Sequence, residues 1–229
     1  MNGFDIILLA LLAGFIALRL RSELGKKTGN EPGADAGTNT GGNRVTADER
    51  TGRGQLVEGE VVGHGTQEDE QRVVDMEQNP ALRAGFADIR KADRSFDPAQ
   101  FLHGARSAYQ MILEAFWAGD RQTLRDMLAD DVAEGFIKAI DAREEAGETV
   151  ESKLVDIDEA TITKARLEGR MAEITVKFES EIIYVTRDGD GDITEGDPSD
   201  VVEVTDRWTF ARNTASDDPS WTLVATRSG

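Results

Sequence analysis

Residues 172–184 read AEITVKFESEIIY and residues 202–210 read VEVTDRWTF. In the first, Ala172, Ile174, Val176, Phe178, Ile182 and Tyr184 alternate with Glu173, Thr175, Lys177, Glu179 and Glu181. In the second, Val202, Val204, Trp208 and Phe210 alternate with Glu203, Thr205, Arg207 and Thr209. A period of two with one polar and one apolar face is the signature of an antiparallel sheet covered on one side. Leu154–Leu167 adds a strand bent near Glu159-Ala160, and Trp221, Leu223 and Ala225 a short last one.

Upstream of Gly147 the period is helical. Asn79-Pro80 opens a helix whose Leu82, Phe86 and Ile89 share a face. Asp97-Pro98 opens a second, with Phe101, Ala105, Ala108, Tyr109, Ile112, Leu113 and Phe116 as a stripe and Gly119 as its stop. A third covers Thr123–Leu128. A fourth starts at Asp131, with Glu134 as capping-box partner and Val132, Phe136, Ala139 and Ile140 buried. Helices first and a meander of strands after give an α+β domain over residues 80–229. A curved sheet around the helices would make a cone with an internal pocket lined by Tyr109, Phe116, Phe136, Phe178, Tyr184, Asp206 and Trp208.

The first 79 residues differ in kind. Ile6–Leu18, IILLALLAGFIAL, holds no charge. With its neighbours from Phe4 to Leu20 it would span roughly 26 Å as a helix, close to a hydrocarbon core of about 30 Å. A cleaved signal peptide would carry basic residues before the run. Here they follow it: Arg19, Arg21, Lys26 and Lys27. The expectation is a single transmembrane anchor over residues 1–24 with the rest of the chain in the cytoplasm. Residues 25–79 read as a disordered, Gly-rich, acidic linker, since they lack the apolar surface to offset ordering. Its apolar island is QLVEGEVV, Gln55–Val62.

Composition narrows the function. The net charge is −18 and residues 80–229 hold 18 bases and 31 acids, so nucleic acid is excluded as a direct ligand. No cysteine and two histidines leave no thiolate chemistry and no His/Cys metal site. Asp188, Asp190 and Asp192 begin like a calcium loop, but Ile193 and Ser199 stand where Gly and Glu are required, so no metal is expected. No nucleophile triad, phosphate loop or dinucleotide fingerprint is present, and no cofactor is expected. Asp206 falls on the inward register between Val204 and Trp208. Paired with an inward Tyr184 it would supply a general base and a hydroxyl donor, the alternative of a tethered enzyme. Without an inward histidine it reads as structural.

The helix from Pro80 to Arg94 reads as a docking element. Leu82, Phe86 and Ile89 lie on one side, and Arg83, Arg90, Lys91 and Arg94 form a positive surface within an acidic domain.

The segments FLHGARSAYQMILEAFWAGD, VKFESEIIYVTRDGDGDITEGDP and DRWTFARNTASDDPSWTLVAT resemble the C-terminal domain of the mitochondrial inner-membrane import-motor adaptor (the Tim-forty-four family). The resemblance extends to its bacterial TimA branch through ELGKKTGNEP after the apolar run. It implies the cone shared by SnoaL-like and ketosteroid-isomerase-like proteins and a non-enzymatic adaptor. It also implies a link to protein translocation or membrane-protein assembly, with a translocase component or chaperone as partner. On this reading the chain is a single-pass protein of a bacterial inner membrane whose folded domain binds a protein or an apolar ligand.

Overall fold

The computed structural model describes residues 72–74 and 76–229. The apolar run at 6–18 and nearly all of the linker lie outside them. Among the described residues no helix is long and apolar enough to cross a membrane.

The helices come first: α1 (Pro80–Ala92), α2 (Pro98–Ala118), α3 (Arg121–Met127) and α4 (Asp130–Glu145). The strands are β1 (Thr149–Val150), β2 (Lys153–Glu168), β3 (Met171–Ile183), β4 (Val185–Arg187), β5 (Ile193–Gly196), β6 (Val202–Asn213) and β7 (Thr222–Ser228). The main sheet has the order β2-β3-β6-β7, and β1-β4-β5 make a smaller one. All strand pairs are antiparallel. The α+β layout is as read from the sequence.

Local signals set the helix ends. The Asn79 and Asp97 side chains accept from Ala81 N–H and Gln100 N–H, each followed by proline in the first turn. Gly119 ends α2 at φ 74°, a left-handed position that glycine occupies without strain. α3 starts two residues earlier than expected because Asp120 caps it, accepting from both Gln122 N–H and Thr123 N–H at 3.1 Å. The capping box on Asp131 does not form. Ala129 is the N-cap, without a side-chain bond, and Asp131 already lies inside α4, its carboxylate accepting from Val132 N–H.

The core lies between the helices and the inner face of the main sheet. β3 alternates strictly, and its inward set from Ala172 to Ile182 is buried. β2 departs from regular pairing between Leu154 and Asp156, between Asp156 and Glu159, and between Ile162 and Lys164. Such irregularities bend a strand and raise its twist, which fits the bend expected near Glu159-Ala160 within one unbroken strand. In β7 the pairing jumps from Thr209↔Ala225 to Phe210↔Leu223. The extra residue, Val224, reverses the inside–outside parity, so Leu223 and Thr226 are buried where the alternation named Leu223 and Ala225.

Two boundaries move. Val73 and Met76 are buried, Met76 within the main apolar cluster, so the folded unit begins by about residue 72 rather than at 80. β3 ends at Ile183, and Tyr184 sits at the step where the chain leaves the main sheet for the small one.

The apolar face of α1 is core. Leu82, Phe86 and Ile89 are 5%, 0% and 0% exposed, and burying each of the latter two removes about 2 kcal/mol worth of apolar surface from water. Gly85 is what brings the helix so near β2, because a Cβ there would lie 2.2 Å from the Ala165 carbonyl oxygen. At its C-terminal end Asp93 pairs with Arg212 of β6, whose guanidinium lies 5.3 Å over the Trp221 ring. The docking face read from the sequence is therefore reduced to its charged half, since the sheet already covers the three apolar residues.

Candidate functional site

The aromatic residues expected to line one pocket all belong to one core cluster or pack against it. Tyr109, Phe178, Trp208 and Asp206 come together in the interior. The Tyr109 and Phe178 rings stack at 4.3 Å, and Tyr109 meets Trp208 at 4.6 Å. α2 delivers Tyr109 from its apolar stripe, and β3 and β6 deliver the others through the cross-strand pairs Phe178↔Asp206 and Val176↔Trp208. Phe116 and Phe136 pack edge-on at 5.3 Å in a second group, with the Arg143 guanidinium 5.3 Å from the Phe116 ring. Arg143 also donates to the Phe116 and Trp117 carbonyls at the end of α2.

Asp206 is 8% exposed. Its carboxylate accepts from the Tyr109 hydroxyl at 2.9 Å, and that hydroxyl lies 3.0 Å from Ser180 Oγ. Burial pushes the Asp206 carboxyl above its ordinary range, against the opposing pull of the Tyr109 bond. Burial first, and the Asp206 charge second, hold the Tyr109 phenol far above its own. Tyr109 thus stays a neutral donor, which is what a buried carboxylate needs.

The pairing of Asp206 with Tyr184 is not made. The Tyr184 hydroxyl accepts from Thr186 Oγ1 at 2.8 Å, and burial raises its phenol too. Counting alternate residues past Ile182 put Tyr184 on the inner face, but it lies beyond the end of β3. The partner that sequence reasoning missed, Tyr109, carried a usable signal. A tyrosine in the middle of a buried helical stripe needs a polar partner for its hydroxyl, and Asp206 needed a donor. The base-and-donor constellation is thus turned inward, with aromatic rings packed around it.

On the surface, Arg83, Arg90, Lys91 and Arg94 of α1 and its C-terminal loop are all exposed. Arg90 pairs with Glu77 at 3.0 Å and Lys91 with Asp88 at 2.8 Å. Arg83 and Arg94 make no ion pair among the described residues. In the acidic hairpin, Asp188 Oδ1 accepts from Asp190 N–H and Asp192 N–H, a turn closed on itself. Among the described residues no cluster of potential metal ligands is found. His103 is exposed.

Comparison with known proteins follows the same domain. The Arabidopsis thaliana mitochondrial import inner membrane translocase subunit TIM44-1 is 28% identical over 123 residues, 54% of this chain and 26% of that protein. The human subunit TIM44 is 23% identical over 142 residues, 61% of this chain and 31% of that protein. An uncharacterized protein of Rickettsia prowazekii is 25% identical over 143 residues, 62% of this chain and 58% of its own length. The chain thus spans about a quarter to a third of the mitochondrial relatives. Among solved structures, the intermembrane space region of chloroplast protein ARC6 superposes with a TM-score of 0.41 at 14% identity, covering 58% of this chain and 97% of that one. The family profile of the Tim44-like domain matches residues 82–228, which runs from the first turn of α1 to the end of β7, and the chain belongs to that family.

Proposed function

We propose that this protein is a membrane-anchored adaptor without catalytic activity. In this reading residues 6–18 span a bacterial inner membrane once. The linker carries the Tim44-like domain on the cytoplasmic side, and the domain binds a protein partner in translocation or membrane-protein assembly. A translocase component or a chaperone of the class used by import motors fits that role. The domain is read as the SnoaL-like cone, with its interior given over to packing.

The observation that carries the reading is the enclosure of Asp206. Its carboxylate is met by Tyr109 from the helix layer, whose ring packs on Phe178 and Trp208, which favours an interior given to stability and a surface left for recognition. The names of the mitochondrial relatives, subunits of an inner membrane translocase, support the same class of role. The positive surface of α1, Arg83, Arg90, Lys91 and Arg94, is the docking patch in this proposal, now through its charges alone.

Anchoring and orientation are tested together. A reporter active only in the cytoplasm, fused after Gly229, should be active in cells whose membrane fraction retains the uncleaved chain. A mature chain starting after Ala17, or a reporter active only outside the cytoplasm, overturns the arrangement.

A further inference from the structure

The outer face of the main sheet carries three cations in one row. Lys177 of β3 stands opposite Arg207 of β6, and Arg207 stands opposite Arg227 of β7. All three point away from the core, because Phe178, Asp206, Trp208 and Thr226 beside them are buried. Like charges directly opposite each other on a sheet face are destabilising. Lys177 is balanced by Glu179 at 2.7 Å. Arg207 and Arg227 are exposed and make no ion pair among the described residues. Residues 80–229 hold 31 acids and 18 bases, yet these two arginines stand side by side without one of those acids.

β7 is also an edge of that sheet. At its start the Leu223 carbonyl accepts from Ala129 N–H at 2.9 Å, so the helix layer covers that end. Beyond Leu223, only β6 pairs with the backbone of the strand among the described residues. Gly229 N–H donates to the Thr205 carbonyl at 2.8 Å. Bonded residues alternate in an antiparallel ladder, so Gly229, Arg227 and Ala225 turn their backbone groups to β6. Thr226 and Ser228 turn theirs to the open edge. An antiparallel strand added there bonds at Thr226 and Ser228. The residue it sets across from Arg227 then belongs to a non-hydrogen-bonded pair, the closer kind, with Cα atoms about 4.5 Å apart.

Charge selects the occupant. A second copy joined through the same edge would bring two arginine pairs together, the repulsion by which charged edges resist self-pairing. A bilayer or a nucleic acid is anionic over a wide area, and it would meet the acidic excess of the domain along with the two arginines. A short segment meets the arginines alone, within a screening length of about 8–10 Å. In a strand, acids at every second position all fall on the face that Arg207 and Arg227 share.

We propose that the open edge of β7 binds an extended acidic segment of a protein partner by strand addition, with carboxylates at alternate positions pairing with Arg227 and Arg207. The backbone bonds at Thr226 and Ser228 supply register, and the arginines supply selectivity. This surface is distinct from the basic face of α1, which packs by its other side on β2.

The full chain in neutral-lipid nanodiscs is titrated with two labelled peptides of about six residues, the usual length of a strand. Both contain equal numbers of Glu and Thr, alternating in one and in two blocks in the other. The alternating peptide should bind at least tenfold more tightly. Arg207→Gln/Arg227→Gln should remove that advantage while leaving thermal stability equal or higher, since a like-charge pair is lost. Arg83→Gln/Arg90→Gln/Lys91→Gln should bind the alternating peptide as the parent does, so this result stands or falls apart from the role given to α1. Equal affinity for the two peptides, no binding of either, or binding that survives the loss of both arginines overturns the proposal. A dimer that forms with rising concentration and disappears in Arg207→Gln/Arg227→Gln also overturns it and makes a second copy the occupant.

Discussion

The hydroxyl of Tyr109, midway along α2, donates to the carboxylate of Asp206 on β6 at 2.9 Å, across 97 residues of sequence. The bond joins the helix layer to the sheet and turns an inward acid into a structural element. Tyr109→Phe removes the donor and keeps the ring stacked on Phe178. It should cost about 1–3 kcal/mol, because Asp206 is left buried without that partner. Urea denaturation with an unchanged slope measures this. A variant as stable as the parent would mean that the bond contributes nothing.

The same pair makes stability depend on pH. With its pKa raised by burial, folded Asp206 keeps a proton that the unfolded chain releases, between the ordinary value of 3.8 and the raised one. Its contribution to stability therefore falls as pH rises through that window and stays low above it. Asp206→Asn keeps an acceptor for Tyr109 and does not titrate. The stability of the parent relative to Asp206→Asn should rise as pH is lowered from neutral towards 4. A pH-independent difference between the two would show that Asp206 titrates normally in the fold.

Gly85 offers a steric test of α1 as part of the core. Gly85→Ala places a Cβ against the Ala165 carbonyl and should destabilise by about 1–3 kcal/mol as α1 is pushed off β2. Gly104, on the exposed side of α2, has nothing within 4 Å of an added Cβ. Gly104→Ala should stabilise by about 0.5–1 kcal/mol through helix propensity. Thermal denaturation of the two variants should move in opposite directions. Equal shifts would contradict the placement of α1.

The contrast between these residues also shows what was legible in the sequence. Alternation and capping residues are local, so β3, β6 and the starts of α1 and α2 could be read directly. Parity fails where a bulge inserts a residue, as at Val224, or where a strand ends, as after Ile183. The amphipathic pattern of α1 was visible, but a helix face packed on a sheet and one packed on a partner are written with the same residues. Gly85 was the discriminating signal, since a bare position beside Phe86 serves a close backbone approach. The register of β6 shows that Asp206 faces inward, whereas its partnership with Tyr109 is not written in the sequence because α2 and β6 meet only in three dimensions.

The basic surface of α1 separates recognition from stability. Replacing Arg83, Arg90 and Lys91 with Gln should change stability by less than about 1 kcal/mol, as exposed ion pairs such as Arg90–Glu77 contribute little. Partner binding by the full chain should weaken, and most at low salt, where surface charges are least screened. Binding that is unchanged at every salt concentration would place the docking surface elsewhere on the domain.

The adaptor reading is tested most directly by site-specific photocrosslinking from positions 83 and 94 of the full chain in its native membrane. An adduct with a defined protein of the translocation or membrane-protein assembly machinery is expected, weakened in the Arg90→Gln/Lys91→Gln background. No protein adduct at either position, with the chain uncleaved and retained in the membrane, would contradict it.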